Sequence, residues 1–287
     1  MNSSPAVTGE RSPAGAASRF LQYTHLDKMY GYLPGMHAAQ PAIFGLDPAE
    51  YQALREGFAA AARAGAQQLL TDTEAAARVD RWSAAGPSTV LVAGDSLTDD
   101  LQSWVEILRA ALDLRSSGHT VQLVNHGLSA HTTAMIARSW PATLTVTKPD
   151  VVVCALGGND VTRVGPDPRK TQVSPAESLA NLAELRRIAQ TLVSPHWIWV
   201  TPAPVDEVRA GAFPAFRFGQ SSWANSDVQQ LSEGIHALGG PVVDLTTVLG
   251  VPAAPELVGE DGVHPTLAGQ IEIARAVLGP LAQDPGR

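Results

Sequence analysis

Val90-Leu91-Val92-Ala93-Gly94-Asp95-Ser96-Leu97-Thr98 runs from an apolar stretch straight into a small polar turn. A short apolar run bounded by turn residues suits a strand buried on both faces. Just downstream, Leu101, Trp104, Val105, Leu108 and Leu112 keep one apolar helical face. The same alternation recurs, with apolar runs at Val121-Gln122-Leu123-Val124, Val151 to Leu156, Trp197 to Val200 and Val242 to Leu245. Five such strands separated by helix-length segments predict a parallel sheet with crossover helices.

The helix signals agree. Ser174-Pro175-Ala176-Glu177 reads as a capping box with proline at the first helical position, and Ser226 to Gln229 repeats the capping pattern. Leu267, Ile271, Ala274 and Leu278 stripe a final helix. The expected architecture is a three-layer α/β/α sandwich around a five-stranded parallel sheet of flavodoxin-like order, occupying residues 87–284.

Upstream, residues 20–86 differ in composition, since all four tyrosines (Tyr23, Tyr30, Tyr32 and Tyr51) lie there. This reads as a helical extension. Asp47-Pro48 starts a helix whose apolar face is Tyr51, Leu54, Phe58, Ala62, Ala66 and Leu69, weakened by Gly57 and Gly65. A second helix through Ala75, Val79 and Trp82 ends at Gly86-Pro87. Tyrosine, apolar in body and polar at its tip, suits a partly wet interface. The extension therefore packs against its own domain, against a second copy in a homodimer, or at the mouth of a site. Residues 1–19, rich in Ala, Gly, Ser and Pro, read as a mobile tail.

The 287 residues are 45% hydrophobic and 17% charged, a globular composition. A net charge of -8 opposes the counterion release on which nucleic-acid binding depends, so no nucleic-acid partner is expected. No apolar run approaches a membrane span or the core of a signal peptide, which points to a cytoplasmic protein with no membrane partner. Cys154, the single cysteine, sits inside Val-Val-Val-Cys-Ala-Leu and reads as a buried, inert thiol.

In an open parallel sheet, ligands bind beyond the carboxyl ends of the strands, where backbone N–H groups of the following helices are unpaired. Those ends carry Gly94-Asp95-Ser96-Leu97-Thr98, Asn125-His126-Gly127-Leu128-Ser129 and Gly157-Gly158-Asn159-Asp160, with Asp261-Gly262-Val263-His264-Pro265 just before the last helix. Each cluster alone is what any turn uses. Together they supply a serine, a base, an orienting carboxylate and oxyanion donors, the minimum kit for acyl transfer. Asp261 precedes His264 by three residues, close enough for one turn to set its carboxylate on one imidazole nitrogen and leave the other for Ser96.

These blocks resemble the SGNH hydrolases, also called GDSL esterases and lipases. The resemblance implies a serine esterase with Ser96 as nucleophile, Asp261 and His264 as its partners, and Ser96, Gly127 and Asn159 as oxyanion donors. It implies a small-molecule ester as substrate, here expected to carry a small or short-chain acyl group. The Gly-x-Ser-x-Gly elbow of α/β-hydrolases would need glycine where Thr98 stands. Two other readings remain: acyl transfer from the same intermediate to an alcohol or amine, and a binding module without turnover.

Asp95 and Asp160 are expected to anchor the site loops, and Asp99 and Asp100 to act as first-turn charges at a helix N-terminus. His126 and His131 lack a nearby third ligand and read as surface or pocket wall rather than a metal site. No GxGxxG, GxxxxGK[ST] or HExxH occurs, so neither metal nor cofactor is implied. Arg163, Arg169 and Lys170, against Asp167, either meet an anionic substrate group or are simply solvated. Phe213, Phe216, Phe218 and Trp223 either wall an acyl pocket or cover the core.

Overall fold

Alternate residues of the first strand face opposite ways, and both directions are apolar, so this strand demands a layer on each side. The computed structural model, which describes residues 13–86, 88–116 and 118–283, supplies both layers. Its strands are β1 (Ser88–Gly94), β2 (Val121–Gly127), β3 (Val151–Ala155), β4 (Arg163–Val164), β5 (His196–Val200), β6 (Ser221–Ser222) and β7 (Val242–Val243). Five of them form a parallel sheet in the order β2-β1-β3-β5-β7, the expected topology. Gly94 stands beside Gly127 of β2 and Ala155 of β3, so the three strand ends are level and their turns meet over one crevice.

Val90 and Val92 face one core with Val153 and Ile198. Leu91 and Ala93 face the other, with Trp140, Cys154, Trp197 and Trp199. Cys154 is buried as expected, and burial raises its thiol well above the usual range. The first core includes Ala62, Ala66, Leu69, Val79 and Trp82, so helices Pro48–Leu69 and Thr73–Ala84 complete that layer rather than stand apart from it. The Pro48–Leu69 helix is unbroken, capped by Asp47 through the N–H groups of Ala49 and Glu50. Gly65 is there for proximity: a Cβ on it would lie 3.1 Å from Ile107, where the helix crosses helix Trp104–Arg115. Gly57 faces open space.

Several boundaries differ from expectation. Residues 1–12 of the expected tail lie outside the described residues, but 13–19 do not form a tail. They belong to helix Pro13–Tyr23, where Arg19 is held by Asp261. Leu101 precedes its helix, which begins at Trp104, because Ser96–Asp99 forms a helical turn of its own. The last strand stops at Val243, because Asp244 accepts from the Thr246 N–H at 2.9 Å and caps helix Leu245–Leu249. Ser226 caps nothing: helix Asn225–Ala237 starts one residue earlier, with the Asn225 amide spent on both backbone groups of Val205. Antiparallel β4 and β6 form a small ribbon that no periodicity foretold, being two residues each.

Candidate active site

The turn after β1 is tight because its first residue has no side chain. A Cβ on Gly94 would fall 2.1 Å from Thr98 Oγ1. Asp95 then caps the helical turn Ser96–Asp99 by accepting from the Leu97 N–H at 3.1 Å, which leaves Ser96 at the first helical position. From across the molecule, His264 brings Nε2 to 2.9 Å from Ser96 Oγ. Its Nδ1 lies 2.6 Å from Asp261 Oδ2, and Asp261 Oδ1 accepts from the N–H groups of Val263 and His264, both at 2.9 Å. Burial alone would raise the Asp261 carboxyl. The hydrogen bond and charge of His264, with those two N–H groups, outweigh it and hold the acid well below the usual carboxylate range. Ser96, His264 and Asp261 thus meet as expected.

Asp160 anchors as expected, its carboxylate accepting from Thr133 N–H at 3.0 Å, Thr133 Oγ1 at 2.5 Å and Ser178 Oγ at 2.9 Å. Asp95 is buried beneath Gly158, and burial pushes its carboxyl up to about 6. Asp99 lies in the first turn of helix Ser96–Asp99 as expected, whereas Asp100 is its C-cap, and neither is exposed. They are buried because the N-terminal helices cover them. Asp99 Oδ1 meets Lys28 Nζ at 2.5 Å and His25 Nδ1 at 2.7 Å, while its Oδ2 accepts from Ser129 N–H and Oγ. Asp100 accepts from Gln22 Nε2 at 3.0 Å, and burial raises it to about 6.

Gly127 is displaced from the role expected of it. Its N–H donates to Asn125 Oδ1 at 2.9 Å, its carbonyl accepts from Lys28 Nζ, and it does not line the cavity above Ser96. It is glycine because a Cβ would lie 2.4 Å from the Asp99 nitrogen. Three residues on, Ala130 takes the exposed place. It has φ 63°, its N–H has no acceptor among the described residues, and it lines the cavity with Ser96, Gly158 and Asn159. A non-glycine residue held in the left-handed region costs about 1 kcal/mol or more, which marks it as a position fixed by its surroundings. The only trace in the sequence is that the second cluster ends on Ser129 and is followed by another small residue, Ala130. Asn159 keeps its expected place, donating one amide hydrogen to the His131 carbonyl at 3.1 Å and retaining the second.

The cavity has a volume of about 1040 Å³. Phe213, Phe216 and Trp223 wall it, their rings 5.1 and 4.8 Å apart in succession, and Phe218 stands at the rim. All four line the cavity, and Trp223 also packs against the second core. Arg163 is engaged by Asp227 through two hydrogen bonds, Arg169 lies 3.6 Å from Asp167 with both largely exposed, and neither these nor Lys170 line the cavity. His126 and His131 stay apart from it, and burial lowers His126 to about 4. Among the described residues no group of three or more His, Cys, Asp or Glu could hold a metal ion, and no helix is long and apolar enough to cross a membrane. Sequence reasoning missed Arg19, Phe20 and Tyr23, which line the cavity from helix Pro13–Tyr23. Arg19 and Asp261 are 242 residues apart, beyond any local signal.

The chain is similar to known proteins. A family model described as the GDSL-like lipase/acylhydrolase family matches residues 92–270. Esterase TesA of Pseudomonas aeruginosa is 34% identical over 111 residues, 37% of this chain. The chain spans 50% of the length of that curated relative. A crystal structure of TesA superposes with a TM-score of 0.50 and 27% identity, covering 67% of this chain and 99% of that one. A lipase/acylhydrolase from Enterococcus faecalis (TM-score 0.52, 22% identity, 70% and 99% covered) shares the fold. So does the acetylxylan esterase Axe2 from Geobacillus stearothermophilus, as a catalytic mutant (TM-score 0.52, 21% identity, 68% and 95% covered).

Proposed function

The chain belongs to the GDSL-like lipase/acylhydrolase family, and from that premise we propose that it hydrolyses a carboxylic ester through an acyl intermediate on Ser96. The observation that carries this reading is the continuous relay from Ser96 Oγ to His264 Nε2 at 2.9 Å and from His264 Nδ1 to Asp261 Oδ2 at 2.6 Å. Ser96 Oγ attacks the ester carbonyl while its proton passes to His264 Nε2. Asp261, ionised at neutral pH, stabilises the imidazolium so formed. The carbonyl oxygen, now negative, is met by the free N–H groups of Ser96 and Ala130 and by the spare amide hydrogen of Asn159. Collapse expels the alcohol, which takes its proton from His264. Water then enters by the same route in reverse and releases the acid.

A cavity of about 1040 Å³ walled by Phe213, Phe216 and Trp223 supports a larger apolar group than the short acyl chain expected from sequence. The substrate class proposed is an ester whose acyl or alcohol part is apolar and fills that space.

A fluorophosphonate probe followed by peptide mass spectrometry tests the nucleophile: the adduct is expected on Ser96. Ser96→Ala should lower kcat by roughly 10⁴-fold or more on p-nitrophenyl octanoate. Near-normal turnover in that variant, or an adduct elsewhere, overturns the assignment. Adding alcohol acceptors to the assay separates hydrolysis from acyl transfer, since an acceptor-derived ester would be a new product.

A further inference from the structure

Helix Pro13–Tyr23 lies outside the matched family region of residues 92–270, yet it touches both members of the acid–base pair. The Arg19 guanidinium donates to Asp261 Oδ2, the same oxygen that faces His264 Nδ1. Because Asp261 Oδ1 is already filled by two backbone N–H groups, Arg19 completes the acid's set of donors. The Asp261 side chain is 2% exposed against 30% for Arg19, so the guanidinium shields the carboxylate from solvent. Arg19 is itself held in place: its Cζ lies 4.9 Å from the Phe213 ring centroid and 5.8 Å from that of Tyr23, with Glu260 Oε1 at 3.8 Å.

Tyr23 acts on the other partner. Its ring lies against the His264 imidazole, centroids 4.5 Å apart and planes 39° apart, so one face of the base is closed to rotation. Burial raises the Tyr23 hydroxyl above its usual value, so the ring stays neutral there. The helix is tied to the turn that carries Ser96. Leu101 N–H donates to the Gln22 carbonyl at 3.1 Å, Gln22 Nε2 donates to Asp100 Oδ1 at 3.0 Å, and Leu21 is fully buried.

We infer that Arg19 and Tyr23 are positioning residues for the Asp261–His264 pair, and that the Arg19 charge beside Asp261 sets the acid limb of the activity. The inference rests on the reading of Ser96 as nucleophile. The charges acting on His264 come from every side: Asp261 in its own loop, Asp95 and Asp100 from the turn after β1, and Arg19 from the helix, with neutral Tyr23 between. Arg19 is the one cation of this set, so removing it makes the surroundings of the pair more negative, and the pH below which activity is lost should rise.

The test is the rate of fluorophosphonate labelling of Ser96, and kcat/KM on p-nitrophenyl octanoate, as functions of pH. In Arg19→Met, which keeps an apolar stem against Phe213, the acid limb is expected to move up by about half to one pH unit. Arg19→Lys, which keeps the charge, should restore it. Tyr23→Ala should lower kcat roughly tenfold with a smaller change in KM, and Tyr23→Phe, which keeps the ring against His264, should recover most of that loss. A helix that served only to hold the protein together would lower the plateau or the melting temperature and leave the limb where it was. An acid limb in Arg19→Met that coincides with wild type overturns the inference. Arg19→Gln serves as the second neutral variant should Arg19→Met not fold. If wild type itself does not label at Ser96, it is the nucleophile reading that fails.

Discussion

Helices Pro48–Leu69 and Thr73–Ala84 enter the core through Ala62, Ala66, Leu69, Val79 and Trp82. Helices Pro13–Tyr23 and Leu26–Tyr30, among the described residues, bury one apolar side chain, Leu21, and otherwise grip the α/β body through Arg19, Gln22, His25 and Lys28. The first attachment is apolar area, which responds weakly to salt and pH. The second is a set of ion pairs and hydrogen bonds, whose strength follows the charge state of Asp99, Asp100 and Asp261. One sequence segment thus contains a permanent structural layer and a condition-dependent one, and the condition-dependent part is the part that reaches Asp261 and His264.

The largest effect on this contrast comes from the apolar half. Leu69→Ala should lower the free energy of unfolding by about 2–5 kcal/mol in urea titrations. The acid limb of the surviving activity should stay in place, since Leu69 lies in the core and does not line the cavity; a moved limb would blur the distinction between the halves. The polar half is probed by pH. Asp100 is raised to about 6 in the folded protein, so between about pH 4 and 6 the unfolded chain releases its proton while the folded chain keeps it. Stability should therefore fall with rising pH across that window and level off above it. Asp100→Asn should flatten the fall by on the order of 2 kcal/mol in melts compared at pH 4.5 and 7. An unchanged slope would place the titration elsewhere. The smallest effect separates two glycines of one helix. Gly57→Ala, at an open position, should stabilise by about 0.5–1 kcal/mol. Gly65→Ala should not, because its methyl group meets Ile107 at 3.1 Å.

The parallel sheet was legible because each strand is a short apolar run ending in a small polar cluster, and because register brings those clusters level. Ser96, Asn159, Asp261 and His264 were legible for the same reason. Gly127 misled because glycine at a strand end signals close packing as well as function. Here β2 continues through it, and its N–H is spent on Asn125 before the chain reaches the exposed bend at Ala130. Asp99 and Asp100 look like ordinary first-turn charges until a helix that begins more than eighty residues earlier is laid over them. The aromatic run from Phe213 to Trp223 had no periodicity to choose between core and cavity. The two-residue pairing of β4 with β6 and the Arg163–Asp227 contact, all tertiary, decide it.

Asp99 carries a consequence for how two distant parts of the molecule depend on each other. One of its oxygens holds Lys28 and His25, and the other holds Ser129, the residue before Ala130. A shared carboxylate of this kind makes the two sides thermodynamically reciprocal. Any free energy by which a change at residues 25–28 alters the Ala130 bend through Asp99 must act equally in the other direction, across about one hundred residues of sequence.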